Sequence, residues 1–327
     1  MSRPLIYVTR RIPEKGLDIL KKICQVKVNF KKRNLSREEI MKKSQKAEGL
    51  ITMLSDPIDK EVIDNCSKLK VIFNYAVGYN NINVDYATKK GIVVTNTPGV
   101  LTETTADLSW ALMFAVARRI VESDRFTRDG LFDGWAPKLM LGTEVHGKTL
   151  GIIGLGRIGK AVAKRARGFN MQVLYNKRIP LDSSQEDKLG VEYRNLEQLL
   201  LKSDFISINA PLNESTFHLF GEEEFKKMKK NAIIINTGRG SIIDERELVN
   251  ALKEREIAGA GLDVYEDEPQ VNDGLKELSN VVLTPHIGSG TVQTRNKMAE
   301  MAARNVISAL RGDDVPNSVN PDVFKGD

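Results

Sequence analysis

The chain has 327 residues, too many for one ordinary core and suited to two domains. With 41% apolar and 28% charged residues it has a soluble protein's composition, and no apolar run reaches the roughly 18 residues of a membrane helix. The net charge is +6, but the cations sit in short runs such as Lys31-Lys32-Arg33 and Lys226-Lys227 among glutamates; these read as solvated helix faces that help attract small anions, not as a nucleic-acid surface.

Along the chain, short β-branched runs alternate with helical stretches, the pattern of parallel sheets with crossover helices. Strands are predicted at 5–9, 26–30, 49–52, 71–74 and 92–95, a small α/β unit. The apolar start is too short for a signal peptide and reads as the first strand, so a cytoplasmic protein is expected. After Pro98-Gly99, Thr102-Glu103-Thr104-Thr105 offers N-cap chemistry, and 106–121 runs on with almost no breaker. A helix apolar on nearly every face needs cover on all sides, which suggests a position between domains or subunits.

A second α/β unit starts at Lys148, with strands predicted at 149–153, 172–175, 205–209, 232–236, 259–264 and 281–284. Six strands is the count of a dinucleotide-binding sheet. A final helix, at about 292–310, should return the chain to the first unit. The two cysteines, Cys24 and Cys66, form no CxxC, and the three histidines, His146, His218 and His286, lie far apart. Neither a disulfide framework nor a metal site is expected.

Gly154-Leu155-Gly156-Arg157-Ile158-Gly159 fits GxGxxG. Alone the pattern is weak, but here a strand precedes it, a helix opens from it and a second strand follows. Gly154 permits the tight turn, Gly156 lets the backbone approach a pyrophosphate at the helix N-terminus, and Gly159 allows close helix–strand packing. The next strand ends in Tyr175-Asn176-Lys177-Arg178. An NAD enzyme usually places a carboxylate there for the ribose 2′-hydroxyl; Asn176, Lys177 and Arg178 instead suit a 2′-phosphate. NADP (NADPH) is the expected cofactor, with NAD accepted more weakly.

Three later strand ends bring an arginine, a carboxylate and an imidazole toward the same sheet edge. They are Thr237-Gly238-Arg239-Gly240, Glu268-Pro269 and Pro285-His286-Ile287-Gly288. Read singly, each has a bland meaning: a turn arginine, an exposed glutamate, a strand-capping histidine. Read together, they suit reduction of a 2-oxo acid. Arg239 supplies a planar fork for the substrate carboxylate. His286 can give the carbonyl oxygen its proton, since histidine titrates near neutrality. Glu268 beside it would hold the imidazole and favour its charged form.

With these residues the chain resembles the D-2-hydroxyacid dehydrogenases, and most closely their glyoxylate/hydroxypyruvate reductase branch. The likeness spans nearly the whole chain. It is carried by Asn74-Tyr75-Ala76-Val77-Gly78-Tyr79, Thr97-Pro98-Gly99-Val100-Leu101-Thr102, the glycine loop, Ile235-Asn236-Thr237-Gly238-Arg239-Gly240, Leu262-Asp263-Val264-Tyr265-Glu266-Asp267-Glu268-Pro269 and Thr284-Pro285-His286-Ile287-Gly288-Ser289. The resemblance implies an α/β fold of two Rossmann-like, doubly wound parallel-sheet domains. A smaller, discontinuous substrate domain would span 1–99 and 288–327, and the dinucleotide-binding domain 100–287. The family's catalytic set falls on Arg239, Glu268 and His286. The amides of Val77 and Gly78 would bind the substrate carboxylate, with Met53 and Leu54 closing on the substrate. Asp263 would bind the nicotinamide carboxamide, and Thr105, Ala210, Pro211, Thr216, Thr237, Gly238 and Gly288 would line the cofactor cleft. A homodimer built on the helix after Thr102 is also implied, with Leu139 or Met140 near the partner's active site.

The chain departs from its kin at Asn80-Asn81-Ile82-Asn83, where aspartates are more usual. Relatives acting on 3-phosphoglycerate typically carry an arginine where this chain has Asn74, phosphite-oxidising relatives a lysine in place of Val77, and formate dehydrogenases a glutamine in place of Glu268. The expected reaction is therefore reduction of a small unphosphorylated 2-oxo acid such as glyoxylate or hydroxypyruvate. The alternatives are an NAD-linked D-2-hydroxyacid or 3-phosphoglycerate dehydrogenase and, on fold analogy alone, a dinucleotide-binding corepressor. His146 and His218 match no catalytic position and read as structural.

Overall fold

A computed structural model describes residues 3–324. The chain forms two compact units, one of residues up to Leu101 with those from Ser289 onward, the other Thr102–Gly288. In the first, β1 (Leu5–Val8), α1 (Glu14–Lys21), β2 (Gln25–Val28), α2 (Arg37–Ser44), β3 (Gly49–Thr52), α3 (Lys60–Asn65), β4 (Val71–Asn74), α4 (Val84–Lys89) and β5 (Val93–Thr95) alternate. The second opens with α5 (Thr102–Ala117) and α6 (Ile120–Arg128). It continues through β6 (Thr149–Ile153), α7 (Arg157–Ala166), β7 (Gln172–Asn176), α8 (Ser183–Leu189), β8 (Glu192–Tyr193), α9 (Leu196–Lys202) and β9 (Phe205–Ile208). It closes with α10 (Glu222–Lys227), β10 (Ile233–Asn236), α11 (Glu245–Lys253), β11 (Gly259–Leu262), α12 (Asp273–Lys276) and β12 (Val281–Leu283). The long α13 (Val292–Arg311) belongs again to the first unit.

Every strand pair is parallel. The first sheet runs β2-β1-β3-β4-β5 and the second β12-β11-β10-β9-β6-β7-β8. In each sheet the unit's first strand lies inside, with its successors on both sides, which is the doubly wound order. Period-two alternation splits the second sheet's side chains between two cores. Ile234, Ile206 and Leu174 enter one; Ile233, Ile235, Phe205 and Tyr175 enter the other, beneath α5 and α7. In the first unit Ile6, Gly49 and Val71 stand in register on one face with Val306 of α13 nearby. A Cβ on Gly16 of α1 would lie 2.4 Å from the Ala299 carbonyl oxygen, so α1 and α13 touch backbone to backbone there.

Two expectations need correction. The second sheet has seven strands, not six. The seventh, β8, is two half-buried residues with no apolar run to mark it. The long helix does not run to residue 121 either. It ends at Ala117, and Arg119 turns the chain at φ 51° before α6. Arginine is a good helix former, so nothing local marks this break. It is set by the returning chain, whose Thr143 amide donates to the Ala117 carbonyl at 2.7 Å. Ala106, Trp110, Met113 and Ala117 are buried within their own unit, Trp110 donates to the Val162 carbonyl of α7 at 3.1 Å, and its ring stacks on Phe169.

Candidate active site

The carboxyl ends of β6, β9 and β10 meet around the glycine loop. Gly154, at φ 89°, leaves no room for a side chain: a Cβ would come within 2.6 Å of the Ala210 amide nitrogen. Its own amide donates to the Asn176 carbonyl at 2.9 Å, tying the loop to the end of β7. A Cβ on Gly159 would lie 2.3 Å from the Gly154 carbonyl oxygen, which explains the close seating of α7. Gly156 is the N-cap of α7 with no side chain capping it and nothing within 4 Å of a Cβ position. The first turn, which includes Arg157, Ile158 and Gly159, thus presents uncapped amides and the positive end of the helix dipole. Leu155 is buried, and Arg157 is exposed without an acidic partner among the described residues.

Asn176 donates its amide to the Arg194 carbonyl at 2.9 Å. Among the described residues neither Lys177 nor Arg178 has a carboxylate partner; Arg178 is exposed and Lys177 half-buried. Their backbone is anchored by Tyr175, whose hydroxyl donates to Glu186 at 2.5 Å and accepts the Leu181 amide at 2.8 Å. Ala210 lies against Gly238, and the Thr237 hydroxyl is 2.8 Å from Ser109. Thr216 uses its hydroxyl inside its own loop, donating to the Pro211 carbonyl at 2.7 Å. At the end of β9 the Asn209 Oδ1 is buried with no partner among the described residues. A glycine cradle, uncapped helix amides, an orphaned acceptor and free cations together fit a dinucleotide.

Arg239, Glu268 and His286 all belong to this unit. Nδ1 of His286 lies 2.8 Å from Oε2 and 3.1 Å from Oε1 of Glu268. Oε1 of Glu268 also accepts the Tyr265 amide at 3.1 Å. Burial pushes the Glu268 carboxyl up, but the hydrogen bond and charge of His286, the Tyr265 amide and the charge of Arg239 outweigh it and hold the group below its ordinary range. Arg239 makes no ion pair among the described residues; Nη1 donates to the Gly238 carbonyl at 2.7 Å, leaving the rest of the fork free. Burial lowers its pKa, and the charge of Glu268 opposes that.

Asp263 has a positioning task that spacing did not reveal. Oδ1 accepts the Thr284 hydroxyl and the Ile287 amide, and Oδ2 the Gly288 amide, each at 2.7 Å. Between them His286 sits at φ 53°, a region that residues other than glycine seldom occupy. The buried carboxylate thus clamps the chain on both sides of a strained histidine. Thr105 closes the ring by donating to the Gly288 carbonyl at 3.2 Å.

In the first unit the 76–78 turn is pinned through its carbonyls. Asn96 donates to Val77 and Asn74 to Gly78, both at 2.6 Å. The amides of Val77 and Gly78 have no partner among the described residues. Asn81 donates to the carbonyls of Met53 and Asp56, which an aspartate could not do. Buried Asp56 accepts the Met53 amide at 2.7 Å, fixing the segment that carries Met53 and Leu54. Asn96 and Asp56 escaped sequence reading; a charged residue before Pro57 and an asparagine between buried threonines were the available signals.

Residues 110–288 match the family described as D-isomer specific 2-hydroxyacid dehydrogenase, NAD binding domain. The chain is 49% identical over 326 residues to a glyoxylate reductase of Thermococcus litoralis, covering 98% of each chain, and 50% identical to that of Pyrococcus horikoshii, covering 99% and 98%. Among solved structures, a Thermus thermophilus protein superposes with a TM-score of 0.91 at 44% identity, covering 96% of this chain and 99% of that one. An NADPH-dependent glyoxylate/hydroxypyruvate reductase from Sinorhizobium meliloti, in complex with NADP and malonate, gives 0.87 at 31% identity, covering 97% of each. The chain belongs to the D-isomer-specific 2-hydroxyacid dehydrogenases, in the branch that holds the glyoxylate reductases.

Proposed function

We propose that the protein reduces a small, unphosphorylated 2-oxo acid, glyoxylate or hydroxypyruvate, to the 2-hydroxy acid with NADPH in the cytoplasm. The observation that carries this reading is an arginine fork free of acidic partners in the same unit as a carboxylate-held histidine and the glycine loop. The names of the relatives support the substrate, and the absence of an arginine at Asn74 argues against a phosphorylated one. A bound nicotinamide supplies a hydride to the carbonyl carbon. Arg239 binds the substrate carboxylate and orients the carbonyl, while the amides of Val77 and Gly78 in the first unit, unpartnered among the described residues, are donors suited to a carboxylate. With Nδ1 committed to Glu268, His286 gives the carbonyl oxygen its proton from Nε2, and Glu268 stabilises the imidazolium beforehand. The two unpaired cations at 177–178 support the preference for NADPH. Steady-state kinetics on a panel of 2-oxo acids with each cofactor test the reading; best turnover of a phosphorylated acid, or a higher kcat/KM with NADH, would overturn its respective half.

We further infer a homodimer, resting on the end of the 102–121 run and the segment that follows it. Ile120, Val121, Leu131, Phe132, Trp135 and Leu141 are all exposed, Trp135 at 84%, along a stretch that is nearly all irregular after α6. So much apolar area within some twenty residues points to cover by a second copy. Sedimentation showing a stable monomer at micromolar concentration would overturn it.

A further inference from the structure

We propose that His218 is a positioning residue for the proton-donating pair, acting through Glu266. This rests on the assignment of Glu268 and His286 above. His218 lies in the loop after β9, downstream of the cofactor candidates Ala210, Pro211 and Thr216. Its Nε2 is hydrogen-bonded to Oε1 of Glu266, and its Nδ1 lies 3.7 Å from Oδ2 of Asp244. The ring stacks on Phe217 with 4.0 Å between centroids.

The backbone here is zipped to the Arg239 turn. The His218 amide donates to the Ser241 carbonyl at 2.8 Å, Phe220 donates to Ile242 at 3.1 Å, and Asp244 returns a bond to Phe220 at 3.0 Å. His218 itself sits at φ 47°, in the left-handed region that few residues other than glycine occupy, and the bonds to its neighbours hold it there.

The Arg239 and Glu268 turns are locked to each other at the same place. A Cβ on Gly240 would lie 1.9 Å from the Tyr265 carbonyl, so the two backbones are in contact. The Glu266 amide donates to Oε1 of Glu245 at 2.8 Å, and the Glu245 amide donates to Oε2 of Glu266 at 3.5 Å. Residue 265, adjacent to Glu266, supplies the amide that holds Glu268, and Glu268 holds His286. Glu266 is therefore where three loops join, carrying respectively cofactor candidates, the carboxylate fork and the proton-donating pair. His218 is the side chain that ties the first loop to the other two. It faces Glu266 and Asp244, with Glu245 close behind Glu266. The hydrogen bond from His218 keeps Glu266 in place beside Glu245, whose carboxyl is pushed up by burial and by the charge of Glu266.

The test is kinetic. His218→Ala is expected to fold, since the side chain is one-third exposed, and to lower kcat on the order of tenfold, the scale of a small misplacement of reacting groups. The alkaline limb of its reduction profile should move to lower pH, because Glu268 then holds the imidazolium less well. His218→Gln keeps a donor near the Nε2 position and should restore most of kcat and the profile. In the double variant His218→Ala/Glu266→Ala the loss should be no greater than in the worse single variant. An alanine variant with wild-type kcat and profile overturns the proposal. So does a loss of kcat with an unshifted profile and no rescue by glutamine. If His286→Ala keeps normal kcat, the underlying assignment fails; if that variant is inactive while His218→Ala is indifferent, only the present inference does.

Discussion

Nδ1 of His286 is held 2.8 Å from Oε2 of Glu268, and that one contact determines which ring nitrogen is left for chemistry. With Nδ1 bonded to a carboxylate, Nε2 is the nitrogen that can donate. Glu268 is held below the ordinary carboxylate range, so it is ionised throughout the neutral range and faces the ring as a carboxylate. In the proposed reaction the donor must carry its proton before the hydride arrives, so reduction should slow on the alkaline side, while oxidation of the hydroxy acid should improve over the same range. Glu268→Gln removes the stabilising charge, and the alkaline limb of reduction should move to lower pH. His286→Ala should cost on the order of a hundredfold or more in kcat. A His286→Ala enzyme with near-normal kcat across the profile would mean that the proton comes from elsewhere.

Arg239 should fail differently. Among the described residues its fork makes one backbone bond and no ion pair, so its loss should cost little stability. Arg239→Ala should raise KM for the 2-oxo acid and lower kcat together, with kcat/KM reduced by about 1.5–3 kcal/mol of charge-assisted bonding or more. Arg239→Lys should recover only part of this, because an ammonium cannot make the two parallel bonds. A variant with unchanged KM would remove Arg239 from carboxylate binding.

Asp263 offers a third test. Asp263→Asn keeps one acceptor and turns an amide donor toward a backbone amide of Ile287 or Gly288, where the native carboxylate accepts at 2.7 Å. An opposed pair of buried donors costs about 1–3 kcal/mol. The expected result is a lower Tm together with a fall in kcat, as the loop holding His286 relaxes from φ 53°. Calorimetry and kinetics on the same sample check this; an unaltered kcat would show that the loop keeps its shape without the clamp.

The cofactor preference is tested at the end of β7. Arg178→Ala should weaken NADPH and leave NADH nearly alone, since the 2′-phosphate is the only group the two do not share. Asn176→Asp should move the preference toward NADH, by repelling the phosphate and offering an acceptor to the ribose hydroxyl. Arg178→Ala enzyme with an unchanged NADPH-to-NADH ratio of kcat/KM would exclude that residue from recognition.

What the sequence determined by itself is what rests on local pattern. The alternation of β-branched runs and helices set a parallel α/β fold, and Gly154, Gly156 and Gly159 marked the cradle because their backbone demands are local. The placement of Arg239, Glu268 and His286 at successive strand ends was readable because parallel strands bring their carboxyl ends to one edge. Tertiary structure decided the rest. The break at Arg119 is made by Thr143 reaching the Ala117 carbonyl, and no property of the 106–121 run announces it. The surface left exposed lies after that break and not on α5, because α7 and the second sheet cover α5. Asp263 clamps the chain around His286 from more than twenty residues away, and His218 reaches Glu266 from nearly fifty. Such contacts depend on how loops from separate strands meet, and neither periodicity nor spacing carries that information.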